Sequence, residues 1–487
     1  METPRPRGRS CFLALLALRI STIHVAALVP ANKITPGTRK LTGFRNGVDL
    51  HATDGSAAAR SVVDEPVSSG IIAGDGVAAL SAAADPLANS LSVVGAASLV
   101  AGNMVGGGIL AIPTVSAAAG FVPSSALLFA LWTANVGTGL LLGEVAAAAI
   151  RDGEDDVSLR TLSRNALGES GSSLTSALFA GTNVLLMGAY IALGGDTLFA
   201  GLSDNFVAPR VAYAALTAAL VAFPAVMEPA NNALVVVMTG ALVALLAVAA
   251  PSVDVGHLLQ SAPPEELGGA LASAAPVLVS SLVFQNVVPI IAKGFGGDSA
   301  KIREAVVLGS AAPLFAYVAF TASVLGRGGG GAAAGELIDA ARGLPEDLRP
   351  AAAAALSVFS VAAVTTSFVG AAVSQSEEVR GYRKDDDALN AAWTFAPPLL
   401  LALSGRDVFL PLLSMTGGIA NPFLFGLLPC LLAWRHRYDG DAEPEEILPG
   451  GRVGVSALGS GAGFLVLNAG LADAAHAVSE TVAHIHL

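Results

Sequence analysis

Charge is scarce in this chain. Of its 487 residues, 13% are Asp, Glu, Lys or Arg, against about 25% in an average soluble protein. A compact soluble domain needs polar cover over its surface, and this sequence has too little of it. Cysteine is nearly missing. Cys11 and Cys430 cannot build a disulfide framework, and no Cys/His cluster has structural-zinc spacing, so no metal site is expected. Positive charge is short as well: 26 Lys and Arg stand against 38 Asp and Glu, a net charge of −12. With no basic stripe to neutralise phosphates, nucleic acid is excluded as a partner. Neither GxSxG nor HExxH occurs, so catalytic residues are expected to be none and an intramembrane enzyme is the weaker reading.

What the chain has is apolar length. Fifty-three per cent of it is hydrophobic and its mean hydropathy is +0.66. From residue 91 onward, apolar runs recur at about 20 residues, the length that crosses a bilayer as helix. Eleven are read: 91–119, 122–150, 173–202, 208–227, 230–250, 271–295, 303–326, 350–376, 388–404, 408–434 and 453–478. Backbone groups in lipid must pair internally, which makes these runs helices. Their Ala and Gly content favours close helix contacts. The expected fold is therefore all-α and multi-pass, with a transmembrane domain over 91–480, a short tail at 481–487 and the lipid bilayer as a partner.

The residues before it differ. Arg5, Arg7, Arg9, Arg19, Lys33, Arg39, Lys40 and Arg45 dominate residues 1–50, and Cys11–Ala31 is an apolar stretch interrupted by Arg19 and His24. A basic start and a short apolar region read as a signal peptide; the basic, Thr-containing segment 32–47 after it resembles a transit peptide. In series they suggest a bipartite plastid address. A single cleaved signal or a disordered tail is the alternative, with the plasma membrane as destination. Residues 51–90 are an acidic linker rich in Ala, Gly and Ser.

Loop charge orients the helices. With the N-terminus inside, the inner loops carry Arg151, Arg160, Arg164, Lys293, Lys301, Arg303, Arg380, Arg383, Lys384, Arg435, Arg437 and Arg452. The outer side carries Arg210, Arg327, Arg342, Arg349 and Arg406. Residues 157–169 place Leu159, Leu162, Ala166 and Leu167 near one face, which suggests a short interfacial helix. The Gly-rich tract 326–335 reads as a linker, since no phosphate-loop Lys-Ser/Thr follows it. His476, His484 and His486 near the C-terminus read as a tail rather than a metal site.

Two of the eleven segments should be broken. The first contains Gly102-Asn103-Met104-Val105-Gly106-Gly107-Gly108 and then Pro113. Each glycine weakens a helix by about 1 kcal/mol relative to Ala, so three in a row should unwind it near mid-span. A second half-helix starting near Gly107 would offer free N–H groups and a positive dipole end to a carboxylate. Close packing is the alternative reason for the glycines. In the sixth segment, Gln285 and Asn286 stand together before Pro289; these amides need partners, in a break or on a neighbouring helix. The first and sixth helices are equivalent members of a five-plus-five repeat, and interruptions at matching places point to a transporter's central site.

At these residues the chain resembles the aromatic amino acid permeases, the tyrosine- and tryptophan-specific transport proteins, in a plastid-type form. The stretch from Gly102 to Pro113 looks like that family's first-helix signature. So do Pro276 through Phe284-Gln285-Asn286-Val287-Val288-Pro289 to Gly296-Gly297-Asp298, then Lys301-Ile302-Arg303 and Leu308-Gly309-Ser310. Thr366-Ser367-Phe368, and Phe423 through Pro429 to Trp434 and Tyr438, fit as well. The family belongs to the amino acid–polyamine–organocation superfamily. The resemblance implies about eleven transmembrane helices in a leucine-transporter-like 5+5 inverted repeat, alternating access, and symport of aromatic or other neutral amino acids. It implies proton coupling, with sodium as the alternative, and no cofactor. One departure stands out: bacterial members usually have His where this chain has Gln285, which cannot carry a proton.

The expected substrate site takes the carboxylate on backbone at Gly106, Gly107 and Gly108. The ammonium goes to carbonyls of Asn103, Met104, Val283 and Phe284. Phe284 also offers an apolar face, Gln285 and Asn286 add amides, and Asn183 and Tyr190 line the opposite wall. Thr366 and Ser367 lie where relatives of this fold place hydroxyl ligands of sodium; bonds back to their own helix are the alternative. Glu144 and Asp196 are candidate proton carriers, because carboxylates inside a membrane are rare; contact with water or a loop cation is the other reading. The same fold carrying a different small amine or metabolite, and a non-transporting sensor, remain as alternatives.

Overall fold

The computed structural model describes residues 91–154, 156–199, 201–327, 349–382, 387–439 and 445–485. The expected presequence, the acidic linker, most of the Gly-rich tract and His486 lie outside these residues, and the side chains of His476 and His484 are also undescribed. Residues 71–476 form one compact unit; the described part of the other unit is the end of the last helix.

The described chain is almost entirely helical. Its helices are α1 (Val93–Met104), α2 (Gly108–Ser116), α3 (Phe121–Arg151), α4 (Leu159–Leu198), α5 (Val207–Ala222), α6 (Pro224–Ala249) and α7 (Pro264–Ser281). There follow α8 (Val288–Gly294), α9 (Ser299–Leu325), α10 (Arg349–Tyr382), α11 (Asp387–Ala402), α12 (Phe409–Met415), α13 (Leu428–Tyr438) and α14 (Gly451–Ile485). Each of the eleven apolar runs holds helix. Among the described residues, seven helices are long and apolar enough to cross a membrane, or eight when the bent pair α1–α2 counts as one span; Val207–Ala222 and Ala388–Ala402 are shorter apolar helices. Helix α14 continues to Ile485, beyond the expected boundary at residue 480.

Local sequence accounts for the helix starts. Ser92, Ser158 and Asp298 cap α1, α4 and α9: their side chains accept from the N–H groups of Gly95, Thr161, and both Ala300 and Lys301, donors that a first helical turn leaves unpaired. Pro224 and Pro264 sit in first turns, where a missing N–H costs nothing. The amphipathic segment expected at 157–169 is the first part of α4. It ends at Gly168, whose φ of 76° interrupts the helix in a conformation that glycine adopts without strain.

Packing then arranges the spans. Helix α9 lies along α1 and α3, α10 lies between α4 and α6, and α7 meets α2. Loops at one end come together: the Arg151 guanidinium donates to the Gly297 carbonyl at 3.3 Å and pairs with Glu445 at 3.0 Å. At the other end, Gly120 pairs with Ser261, and Asp254 N–H donates to Gly326 at 2.7 Å. This is the side-by-side grouping of loops that the charge pattern assigned to opposite faces.

Candidate functional site

The first span breaks at Val105, which is extended (φ −71°, ψ 100°). Helices α1 and α2 meet there at 56°. Helix α2 starts at Gly108, and the N–H groups of Gly106 and Gly108 have no acceptor among the described residues; that of Gly107 reaches Ser367 Oγ at 3.3 Å. None of the three glycines has positive φ. What they permit is close approach. A Cβ on Gly106 would overlap Ser367 of α10, one on Gly107 would come within 2.7 Å of the Tyr190 ring on α4, and one on Gly108 within 2.6 Å of Ser281 Oγ on α7. The unwound helix and the tight packing are therefore one feature.

The second break is gentler. Helix α7 ends at Ser281, Leu282–Phe284 are non-helical, and one tight turn at Gln285–Val287 leads into α8. Pro289 occupies the first turn of α8, where its lost donor is harmless. Pro264–Gly294 stays straight enough to act as one span. The breaks are tied across the molecule. Asn103 Nδ2 donates to Asn286 Oδ1 at 2.8 Å and to the Val283 carbonyl at 3.1 Å, and Asn286 Nδ2 returns a bond to Asn103 Oδ1 at 3.0 Å. The buried Tyr317 hydroxyl, on α9, lies 2.5 Å from the Met104 carbonyl and 2.8 Å from that of Ser281. Its single hydrogen can therefore be given to a freed carbonyl of either break.

Between the breaks lies a cavity enclosing about 900 Å³ of atom-free space, its open mouth included. Asn103, Met104, Gly106, Gly108, Val283 and Asn286 line it from the breaks. Asn183 and Tyr190 line it from α4, and Thr366 and Ser367 from α10. Three residues of the expected substrate site are not on its wall. Gly107 faces Tyr190. Phe284 is fully buried against Gly139, and its carbonyl accepts from Val287 N–H at 3.1 Å. Gln285 is fully buried: its Nε2 donates to Asn135 Oδ1 at 2.7 Å and to Thr138 Oγ1 at 3.2 Å, and its Oε1 accepts from Phe284 N–H. This amide fastens the second break to α3.

Thr366 and Ser367 donate their hydroxyl hydrogens to the Ala363 carbonyl at 3.1 and 2.9 Å. Among the described residues the Thr366 oxygen accepts no bond, whereas Ser367 Oγ already accepts from Gly107 N–H at 3.3 Å. The two carboxylates lie away from the cavity, in ion pairs. Fully buried Glu144 is gripped by Arg437 at 2.6 and 2.7 Å and accepts from Ile447 N–H at 2.8 Å. Asp196 holds Arg210 at 2.9 and 2.5 Å. Buried Arg210 also donates to the carbonyls of Ala402, Gly405 and Arg406, which fastens α5 to the loop after α11.

Sequence reasoning passed over several wall residues: Thr182, Ser280 and Asn421. Asn421 was visible as a lone amide in the apolar run 408–434. It lies between two wide π-helical stretches, Thr416–Ala420 and Pro422–Leu427. Pro422 supplies a cause, since it removes a helix donor, and such widenings gather at functional sites. Tyr317 carried no signal at all, because its role depends on two chain positions distant in sequence.

Comparison with known proteins places this geometry. Tyrosine-specific transport system 1 of Haemophilus influenzae (strain ATCC 51907 / DSM 11121 / KW20 / Rd) is 28% identical over 368 residues, covering 71% of this chain and 88% of the relative. Tyrosine-specific transport system 2 of the same strain is 29% identical over 392 residues, covering 75% and 93%. Glutamine transporter 2 of Aliivibrio fischeri (strain ATCC 700601 / ES114) is 26% identical over 344 residues, covering 68% and 86%. Among solved structures, MhsT in complex with L-phenylalanine superposes with a TM-score of 0.53 at 14% identity, over 77% of this chain and 97% of that one. That likeness concerns the fold, which is the leucine-transporter-like arrangement with interrupted first and sixth spans. The tryptophan/tyrosine permease family model matches residues 89–466, and the chain belongs to that family.

Proposed function

We propose that this multi-pass membrane protein is a secondary active transporter of neutral amino acids, aromatic ones among them, and that the cavity between the two breaks is its substrate site. It is a carrier rather than an enzyme, and its relatives are named for tyrosine, glutamine and tryptophan. One observation carries the placement of the site. The N–H groups of Gly106 and Gly108 lack acceptors among the described residues at the positive end of α2, beside a cavity lined from both breaks. Free donors at a helix start suit a carboxylate. The ammonium suits the Asn103 carbonyl and the second lone pairs of the Met104 and Val283 carbonyls, each of which accepts one bond already. The Phe284 carbonyl is less suited, being engaged off the wall.

The same inventory bears on our reading of the coupling ion. The two candidate proton carriers, Glu144 and Asp196, are each held by an arginine, and no carboxylate or histidine lines the cavity among the described residues. Hydroxyl oxygens of Thr366 and Ser367 suit a hard cation. The arrangement favours sodium over the proton expected from bacterial relatives. The destination is a plastid membrane on the evidence of the basic residues in 1–47; fusing residues 1–90 to a fluorescent protein tests that address.

The site is tested with full-length protein in detergent. A ligand that binds the folded state raises its melting temperature by mass action. A rise with neutral amino acids, larger in sodium, is expected, together with its loss in a folded Gly107→Leu variant, whose side chain would drive into Tyr190. Unchanged affinity in that variant removes the carboxylate site. A response to pH but not to sodium returns the coupling to protons.

A further inference from the structure

The cavity lining carries a second polar cluster that the carboxylate and ammonium do not use. Thr182 and Asn183 on α4 and Asn421 between the π-helical stretches all line the cavity, at 3%, 6% and 2% exposure. Thr182 Oγ1, Asn183 Nδ2 and Asn421 Oδ1 are buried without a hydrogen-bond partner among the described residues. Leaving a buried polar group unpaired is costly, so three such residues lining one cavity call for a ligand.

The hydrogen bonds around Asn421 fix which of its atoms is free. The Thr416 hydroxyl donates to the Leu413 carbonyl at 2.7 Å. Its oxygen therefore accepts from Ser280 Oγ, 2.6 Å away, and Ser280 has no hydrogen left to give. Asn421 Nδ2 must be the donor to Ser280 Oγ, at 3.2 Å. The carbonyl oxygen of Asn421 is thus left as an acceptor, while Asn183 Nδ2 is a donor. Thr182 can do either.

We infer that Asn421, Asn183 and Thr182 form a side-chain subsite that selects a substrate side chain ending in a group that both donates and accepts hydrogen bonds, a phenol hydroxyl or a carboxamide. The inference rests on the assignment of this cavity as the amino acid site. A phenyl or aliphatic end satisfies none of the three atoms, and an indole N–H satisfies the acceptor alone. A site built to bond a polar group rejects the analogue that lacks it, because its own buried groups are then left unpaired.

The experiment measures binding of two matched pairs to the full chain in detergent: L-tyrosine against L-phenylalanine, and L-glutamine against L-leucine. At least one polar member should bind about tenfold or more tighter than its apolar counterpart. Asn421→Leu should bring that ratio towards one. Should Asn421→Leu fail to fold, Asn183→Leu and Thr182→Val are expected to shrink the same ratio. Equal binding within both pairs overturns the inference and leaves the cavity assignment standing, as does a ratio that survives in all folded variants. Binding of none of the four overturns both.

Discussion

Asn103 and Asn286 hold each other by two amide hydrogen bonds, 2.8 and 3.0 Å long, across the two interrupted spans. Residues 183 positions apart therefore lock the two breaks into one unit beside the cavity. Either break alone would leave a partly buried amide without its partner.

Replacing Asn286 with aspartate tests that lock. The carboxylate keeps an acceptor for Asn103 Nδ2 but loses the donor to Asn103 Oδ1. The Asn286→Asp variant should be destabilised by about 1 kcal/mol, the low end of the cost of an unpaired polar group, because the pair is only partly buried, with reduced substrate affinity. Asn103→Asp should behave similarly, losing in addition the bond to Val283. Thermal melts with and without substrate read both effects. Wild-type stability in both variants would mean the pair has no part in holding the breaks.

The Glu144–Arg437 pair should matter for stability, not for coupling. Both side chains are nearly inaccessible, at 0% and 1%, and removing one member of a buried pair costs about 3–5 kcal/mol. Arg437 keeps Glu446 at 3.2 Å, so Glu144→Gln should fall at the low end of that range. Adding Arg437→Gln should recover part of the loss. Ion-driven uptake per folded molecule should survive in Glu144→Gln. Its abolition in protein that melts normally would reinstate Glu144 as a proton carrier.

Arg210 should not tolerate lysine. Its guanidinium reaches Asp196 and three backbone carbonyls, and the Phe206 ring lies 4.7 Å from it. An ammonium offers a point charge in place of that planar fork. Arg210→Lys should lower the melting temperature, and Asp196→Asn should lower it less because the three carbonyl bonds remain. Melting of the two variants in the same detergent compares them directly; a lysine variant as stable as wild type would argue against the fork.

Acid should loosen the start of α9. Bonds from the backbone N–H of Lys301, then the Lys301 side chain, hold the Asp298 carboxyl below its usual value. A group with a lowered folded pKa stabilises fully above its unfolded value, and that contribution is lost as pH falls through the folded one. Amide hydrogen exchange at Ala300 and Lys301 should therefore quicken, after correction for intrinsic rates, as pH drops below the ordinary carboxylate range. Asp298→Ala should remove this dependence and cost about 1 kcal/mol as a lost helix cap.

Much of the architecture was legible in the chain itself. Apolar runs of membrane length, glycines at 106–108 and adjacent amides before Pro289 act through local physics, so helices and their interruptions follow from neighbours in sequence. Low charge and runs of apolar residues could only specify a lipid-embedded helical protein, and a triple glycine in such a run could only weaken its helix. The direction each side chain faces was not legible. Gln285 and Asn286 are neighbours, yet one turns to Asn135 on α3 and the other to Asn103 on α1. Glu144 and Asp196 read as lone carboxylates until the fold brought Arg437 and Arg210 to them. Asn421 became part of a wall only when a widened helix met α4 and α7. These are long-range pairings, fixed by the packing of helices far apart in sequence, and a hydrogen bond or ion pair forms only where that packing brings its two groups within reach.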